Sequence, residues 1–210
     1  MGHMVEAALK RAGIELAAAT EDVRATDPAL AAESVCIDFT TPDAFRENYP
    51  FLAGHFKAVV VGTTGWNDIR DEVIACFERC GTPMIYASNF SIGVNALFAA
   101  VRRASEVLRG HGYTPHIEEI HHIHKKDAPS GTAKSLGEIV SAGLGEEPGI
   151  TSVREGEVPG THIVTFSSAV DKLVLSHEAY SREGFAEGAV YAARLTEGLE
   201  GVHDFSDLIL

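Results

Sequence analysis

Up to about Asn89 the chain alternates short apolar runs with amphipathic helical segments, and this alternation limits its fold more than any other feature. Ile14–Ala19, Val35–Phe39, Ala58–Gly62 and Met84–Ala87 read as strands. Val5–Ala12, Asp43–Phe56 with an interruption near Pro50, and Asp68–Arg79 read as helices. Strands separated by helices pair in parallel, because each crossover carries the chain back to the same end of the sheet, and the helices then cover both faces. The strand ends carry Asp38-Phe39-Thr40, Gly62-Thr63-Thr64-Gly65 and Ser88-Asn89-Phe90. In open α/β sheets ligands gather at the carboxyl ends of strands.

From Ser91 the pattern changes. A helix over about Val94–Leu108 leads into a His-rich strand in which Ile117, Ile120 and Ile123 show no clean alternation. Pro129 breaks the chain, and Ser130-Gly131-Thr132-Ala133 opens a helical run through Leu136, Ile139 and Val140. Strand-like runs follow at Ile150–Glu155, His162–Ser168 and Lys172–His177, so this part reads as an α+β domain with an antiparallel or mixed sheet. Gly184–Leu199 is again helical, and Phe205–Ile209 ends the chain. No internal repeat or low-complexity tract is present.

Composition sets outer bounds. With 210 residues, 45% hydrophobic and 22% charged, the chain suits one large soluble domain or two small ones. No apolar run approaches the roughly 20 residues that span a bilayer, and no export signal opens the chain, so a cytoplasmic protein without a membrane partner is expected. The three cysteines form no even framework; Cys36 lies in an apolar strand and Cys76 and Cys80 one helical turn apart, as reduced structural thiols do. A net charge of −13 argues against a nucleic-acid surface. It leaves anionic small ligands open, since charges beyond about 8 Å are largely screened at physiological salt.

The chemistry is concentrated between Glu118 and Ala133. A helix that begins at Ser130 offers backbone N–H groups and a partial positive charge to a carboxylate or phosphate at Gly131 and Thr132, with Gly131 allowing close approach. Ser130 is equally an ordinary N-cap, and the two roles are compatible. His121 is the candidate proton donor because imidazole titrates near working pH, although a lone His in an apolar strand is more often a packed core residue. Lys125, four residues on, carries an ammonium suited to a carboxylate, whereas Lys126 reads as solvated. His122 faces away from His121 if the strand persists, unless a loop begins there. His116, His121, His122 and His124 with Glu118 and Glu119 invite a zinc reading, yet no HExxH or CxxC spacing appears and the cysteines are remote, so no metal site is assigned.

The string from Glu119 to Ala133, E-x-H-H-x-x-K-x-D-x-P-S-G-T-A, resembles the signature of the dihydrodipicolinate reductases, nicotinamide-dependent enzymes of the diaminopimelate route to lysine. Cys36–Thr40, Val61–Trp66, Ala87–Asn95, Val158–His162 and Arg182–Ala186 leading into Gly188–Val190 resemble the same family, so the likeness spans nearly the whole chain. It implies a Rossmann-like dinucleotide-binding domain over 1–90, with 184–210 packing back on it, and a substrate-binding and oligomerisation domain over 91–183. It implies NADPH or NADH as cofactor and reduction of 4-hydroxy-tetrahydrodipicolinate or dihydrodipicolinate to tetrahydrodipicolinate. His121 then maps onto the catalytic acid, delivering a proton opposite the hydride, and Lys125 onto its catalytic partner. His122, Ser130, Gly131 and Thr132 map onto substrate-carboxylate contacts. Gly62, Thr63 and Thr64 with Ala87, Ser88, Asn89 and Phe90 map onto segments lining nicotinamide and ribose.

The beginning departs from the family. Met1–Leu9 resembles the end of a G-x-x-G-x-M-G turn, with Gly2 as its last glycine, while the first strand and most of the glycine-rich turn are absent, as a start site placed too late would leave it. A Gly2-His3-Met4 cloning scar is the alternative. Nucleotide binding is expected to be weakened, because the pyrophosphate nest is incomplete. Glu21 stands where an acidic residue receives the adenosine ribose hydroxyls, and Arg24 where a 2′-phosphate would lie, so the choice between NADH and NADPH stays open. Two rivals remain: another two-domain Rossmann reductase, which should lack H-H-x-x-K with P-S-G-T-A, and a catalytically silent fragment that keeps only the second domain's substrate and assembly functions. Apolar Ile163, Val164, Val170, Leu173 and Leu175 exceed what one small domain covers and, with the resemblance, point to a homotetramer.

Overall fold

The structure is a computed structural model that describes Met1 to Ile209. It divides into two compact units, Met1–Ser91 together with the segment from Glu183, and Ile92–Arg182. In chain order the first unit begins with α1 (Gly2–Arg11), α2 (Pro28–Glu33), β1 (Val35–Asp38), α3 (Pro42–His55), β2 (Ala58–Val61), α4 (Arg70–Cys80) and β3 (Met84–Tyr86). Local chemistry sets the boundaries. Asp27 caps α2 by accepting from the Ala29 and Leu30 N–H groups, Thr41 caps α3, and each is followed by proline at the first helical position. Gly81, at φ +70°, ends α4 in the left-handed conformation.

The second unit holds α5 (Ile92–Leu108), β4 (Thr114–His121), α6 (Gly131–Leu144), β5 (Gly149–Arg154), β6 (Thr161–Ser167) and β7 (Lys172–Glu178). The chain then returns to the first unit through α7 (Glu183–Leu195), β8 (Val202–Asp204) and α8 (Phe205–Ile209).

The first sheet runs β1-β2-β3-β8 and is wholly parallel. All four residues of β2 are buried, as a strand covered on both faces requires. Val59 and Val61 pack with Phe45, Leu52, Trp66 and Phe77 on one side, and Val60 packs with Ile85, Ala189 and Phe205 on the other. Helix α7 crosses so close to the end of β3 that a Cβ on Gly188 would stand 1.7 Å from the Phe90 carbonyl oxygen.

Two expectations fail here, and one strand goes unforeseen, for physical reasons. The segment Ile14–Ala19 forms no strand: it joins neither sheet, although one edge of β1 is unpaired, and residues 15–22 lie exposed, so no buried apolar face holds it in a ladder. Pro50 does not interrupt α3, because buried Phe45, Tyr49, Leu52 and Ala53 anchor both sides of it and outweigh the roughly 3 kcal/mol a helical proline costs. Strand β8 was not foreseen, since its three residues include the polar His203 and Asp204.

The second sheet runs β5-β4-β6-β7. β4 and β5 are parallel while β4–β6 and β6–β7 are antiparallel, so the sheet is mixed. Helices α5 and α6 cover one face, where Leu97, Val101, Leu136 and Val140 meet Ile117, Val164 and Phe166. Val164 is therefore core, whereas Val170, Leu173 and Val174 are exposed at 90%, 38% and 45% along β7 and its turn.

Candidate active site

Residues two apart in a strand share a face, and β4 buries Pro115, Ile117, Glu119 and His121 together. The strand register extends that face sideways in rows: Pro115–Phe166–Leu173, Ile117–Val164–Leu175 and Glu119–His162–His177. The first two rows are apolar. The third is ionisable and lies where β4 runs into the loop 122–130. A carboxylate that is fully buried, as Glu119 is, must be paired to remain charged.

Arg154, opposite His121 in the register of β5, provides that pairing. Its Nη1 donates to Glu119 Oε2 at 3.1 Å and its Nη2 to Oε1 at 2.8 Å, the forked geometry that suits a carboxylate. The Ser130 N–H donates to Oε1 at 3.3 Å, and His121 Nδ1 bonds Oε2. Burial alone would raise the Glu119 pKa, but the hydrogen bonds from Arg154, Ser152 and His121 outweigh it and hold the carboxyl at about 2.

Burial pushes His121 below the ordinary imidazole range; the Glu119 contact opposes that shift, and the Lys125 and Arg154 charges add to it. His162 stands edge-on to His121, ring centroids 5.1 Å apart, with its Nε2 3.1 Å from Ser130 Oγ. Burial, and then the neighbouring His121, bring His162 down to about 4, so it is neutral at ordinary pH.

The loop begins immediately after His121. The His122 N–H donates to Val158 O at 2.8 Å, outside the ladder, and the His122 ring tilts against His124. Ile123 is 60% exposed in the turn, so the strand stops short of it. Lys125 Nζ pairs with Asp127 Oδ1 at 2.8 Å, and Arg154 Nη2 ties the Asp127 carbonyl at 2.6 Å. Ser130 caps α6, its Oγ accepting from the Ala133 N–H at 3.2 Å. Gly131 and Thr132 open that helix, and a Cβ on Gly131 would meet nothing within 4 Å, so packing does not demand glycine there. Among the described residues no group of three or more His, Cys, Asp or Glu side chains is arranged to hold a metal ion.

In the first unit the strand ends bring Gly62, Thr63 and Thr64 beside Ala87, Ser88 and Asn89. The Ala87 N–H donates to Val61 O at 3.1 Å, and buried Thr63 donates through Oγ1 to buried Asp38 at 2.8 Å. Gly62 approaches Phe39 so closely that a Cβ would stand 2.1 Å from the ring. Asn89 Oδ1 accepts from the Ser91 N–H at 2.8 Å, and Phe90 is core, packed on Phe39 and Phe205. Gly2 opens α1, Glu21 is exposed in the irregular stretch ahead of residues 23–25, and Arg24 bonds the Glu47 carbonyl. Gly62 is required by the Phe39 ring packed against it, and the exposed Thr64 and Ser88 hydroxyls at adjacent strand ends are polar groups of the kind a nicotinamide nucleotide can meet.

Residues 1–90 match the family described as dihydrodipicolinate reductase, N-terminus, and residues 93–209 match dihydrodipicolinate reductase, C-terminus. This chain belongs to the dihydrodipicolinate reductase family. A 4-hydroxy-tetrahydrodipicolinate reductase from Anaeromyxobacter sp. (strain Fw109-5) is 39% identical over 203 residues, covering 86% of this chain and 75% of the relative. Another from Christiangramia forsetii is 39% identical over 189 residues, covering 83% and 79%. The solved structure of a dipicolinate-bound dihydrodipicolinate reductase from Paenisporosarcina sp. TG-14 superposes with a TM-score of 0.71 at 23% identity, over 84% of this chain and 73% of that one. The family makes the chain an oxidoreductase that uses NADH or NADPH.

The sequence did not single out Arg154 or His162, and Glu119 stood out only as part of the motif and of the zinc cluster that was set aside. Glu119 had a signal, an ionisable residue at a position in phase with buried Ile117. Arg154 had none, because its partner lies 35 residues away.

Proposed function

We propose that this chain reduces 4-hydroxy-tetrahydrodipicolinate or dihydrodipicolinate to tetrahydrodipicolinate, with His121 as proton donor. The observation that carries this reading is the buried Glu119–His121 pair beside the Ser130-capped helix end and Lys125. A bound nicotinamide dinucleotide supplies a hydride; Gly62, Thr63, Thr64, Ala87, Ser88 and Asn89 are the residues that would hold its nicotinamide end. The 4-hydroxy substrate first loses water to give the dihydro compound; the bond that is then reduced takes the hydride and one proton, and His121 delivers that proton. Lys125 exchanges Asp127 for a substrate carboxylate, and the Gly131 and Thr132 end of α6, with His122, holds the other. Gly2 and Glu21 serve the pyrophosphate and adenosine ribose.

Changing His121 to Ala is expected to lower turnover about a hundredfold or more while cofactor affinity stays close to wild type. Steady-state kinetics and NADPH titration check this, and unchanged turnover removes His121 from the mechanism. The protein works in the cytoplasm as a homotetramer, built on the exposed apolar residues of β7, Leu173 and Val174, and on Val170 in the preceding turn. Light scattering at micromolar concentration tests the assembly, and a monomer would refute it.

A further inference from the structure

We propose that Glu119, clamped by Arg154 and the Ser130 N–H, is the positioning carboxylate of His121: it takes the Nδ1 proton, leaving Nε2 as the ring nitrogen that exchanges a proton with a ligand. The proposal deepens the reading of His121 as proton donor and rests on it. Every acceptor position on Glu119 is committed. Oε1 receives Arg154 Nη2 and the Ser130 N–H, and Oε2 receives Arg154 Nη1 and His121. A carboxylate surrounded only by donors cannot itself offer a proton, so the imidazole must point an N–H at it, which fixes the tautomer. At the other end of the ring stands Gly160, where a Cβ would lie 3.0 Å from Nε2, so the absence of a side chain keeps that nitrogen unobstructed. The charged or titratable groups facing His121 are Glu119 on its own strand, Arg154 on β5, His162 on β6 and Lys125 in the following loop. Among these Glu119 is the anion, and it stabilises the imidazolium that a proton donor must become.

Glu119→Gln is the test. Placing the amide oxygen on Arg154 Nη2 and the Ser130 N–H costs one donor contact, that of Arg154 Nη1, where the reverse orientation costs two, so the NH2 group faces His121 Nδ1 and forces the proton onto Nε2. Nitrogen-15 NMR of labelled histidine in the protein alone should show His121 protonated at Nδ1 in the wild type and at Nε2 in the variant. Its titration midpoint should fall by roughly one pH unit. Kinetics should show kcat lowered about a hundredfold with KM nearly unchanged, and the limb on which activity falls with rising pH moved to lower pH. A purely structural carboxylate would leave the tautomer and the pH limb where they were, and that result overturns the proposal. A changed tautomer with unchanged kcat upholds the positioning role and sinks His121 as the donor instead. Glu119→Asp keeps the charge and should restore the Nδ1–H signature; if Glu119→Gln does not fold, an Nε2–H signature in Glu119→Asp refutes the proposal.

Discussion

The two sheets put their polar groups in opposite places. In the first unit the strand interiors are apolar, Val59 to Val61 and Met84 to Ile85, and the hydrogen-bonding groups stand at the strand ends in Gly62–Thr64 and Ser88–Asn89. In the second unit a full row of the buried face, Glu119, His162 and His177, is ionisable. A group at a strand end can borrow solvent, whereas a group inside the sheet must find its partners in the protein. The second sheet therefore carries a liability that the first avoids. For Glu119 the compensation comes chiefly from Arg154, whereas His162 and His177 each keep one ring nitrogen without a partner.

The contrast is tested most strongly by Arg154→Met. The substitution leaves Glu119 buried without its counter-charge and is expected to cost about 3–5 kcal/mol, the usual penalty for breaking a buried ion pair from one side. Chemical denaturation followed by circular dichroism measures it; a midpoint like the wild type's would mean that the ionisable row is no liability. The single tryptophan, Trp66, lies in the core of the first unit, so its fluorescence should report little of this loss before the second unit has unfolded.

Gly188→Ala addresses the first unit. Its Cβ would collide with the Phe90 carbonyl, which is backbone and cannot rotate away, so a loss of about 1–3 kcal/mol is expected. Here Trp66 fluorescence should lead. If circular dichroism changes first instead, stability is not partitioned between the units as the two sheets suggest.

Acid should separate the units by the smallest but most selective effect. Glu119 is held at about 2 against an ordinary 4.5, so its contribution is complete above about 4.5 and lost as pH falls toward 2. His162, at about 4 against 6.5, accepts its proton later than the unfolded chain does. It therefore costs nothing above 6.5, and its penalty grows as pH drops to 4. Asp38 has the opposite sign: burial raises its pKa, so the folded first unit takes up that proton more readily and gains as pH falls. Titration from pH 7 to 4 should thus weaken the second unit before Trp66 responds. Simultaneous transitions would argue that these groups do not govern acid stability.

Legibility in the sequence follows the same division. Strands β1 to β3 and helices α1, α3 and α4 were visible because a doubly covered parallel sheet writes its pattern into short apolar runs separated by amphipathic periods, whereas the six-residue α2 was too short to show, and Ser130 with Gly131 marked the start of α6 directly. The fifteen-residue run from Glu119 to Ala133 carried the family resemblance, since residues on one loop and its flanks are held together by chain connectivity. What lay beyond reach was pairing between distant segments. Ile14–Ala19 has the composition of a strand but gained no neighbour, and a strand exists only through the ladder it joins. β8, with almost no apolar signal, became one because β3 offered it an edge. His121 could be named from the sequence as a candidate acid; that its partner Glu119 is buried, charged and gripped by Arg154 was decided by the register of β4 against β5 and β6, because only folding brings those side chains out of water together.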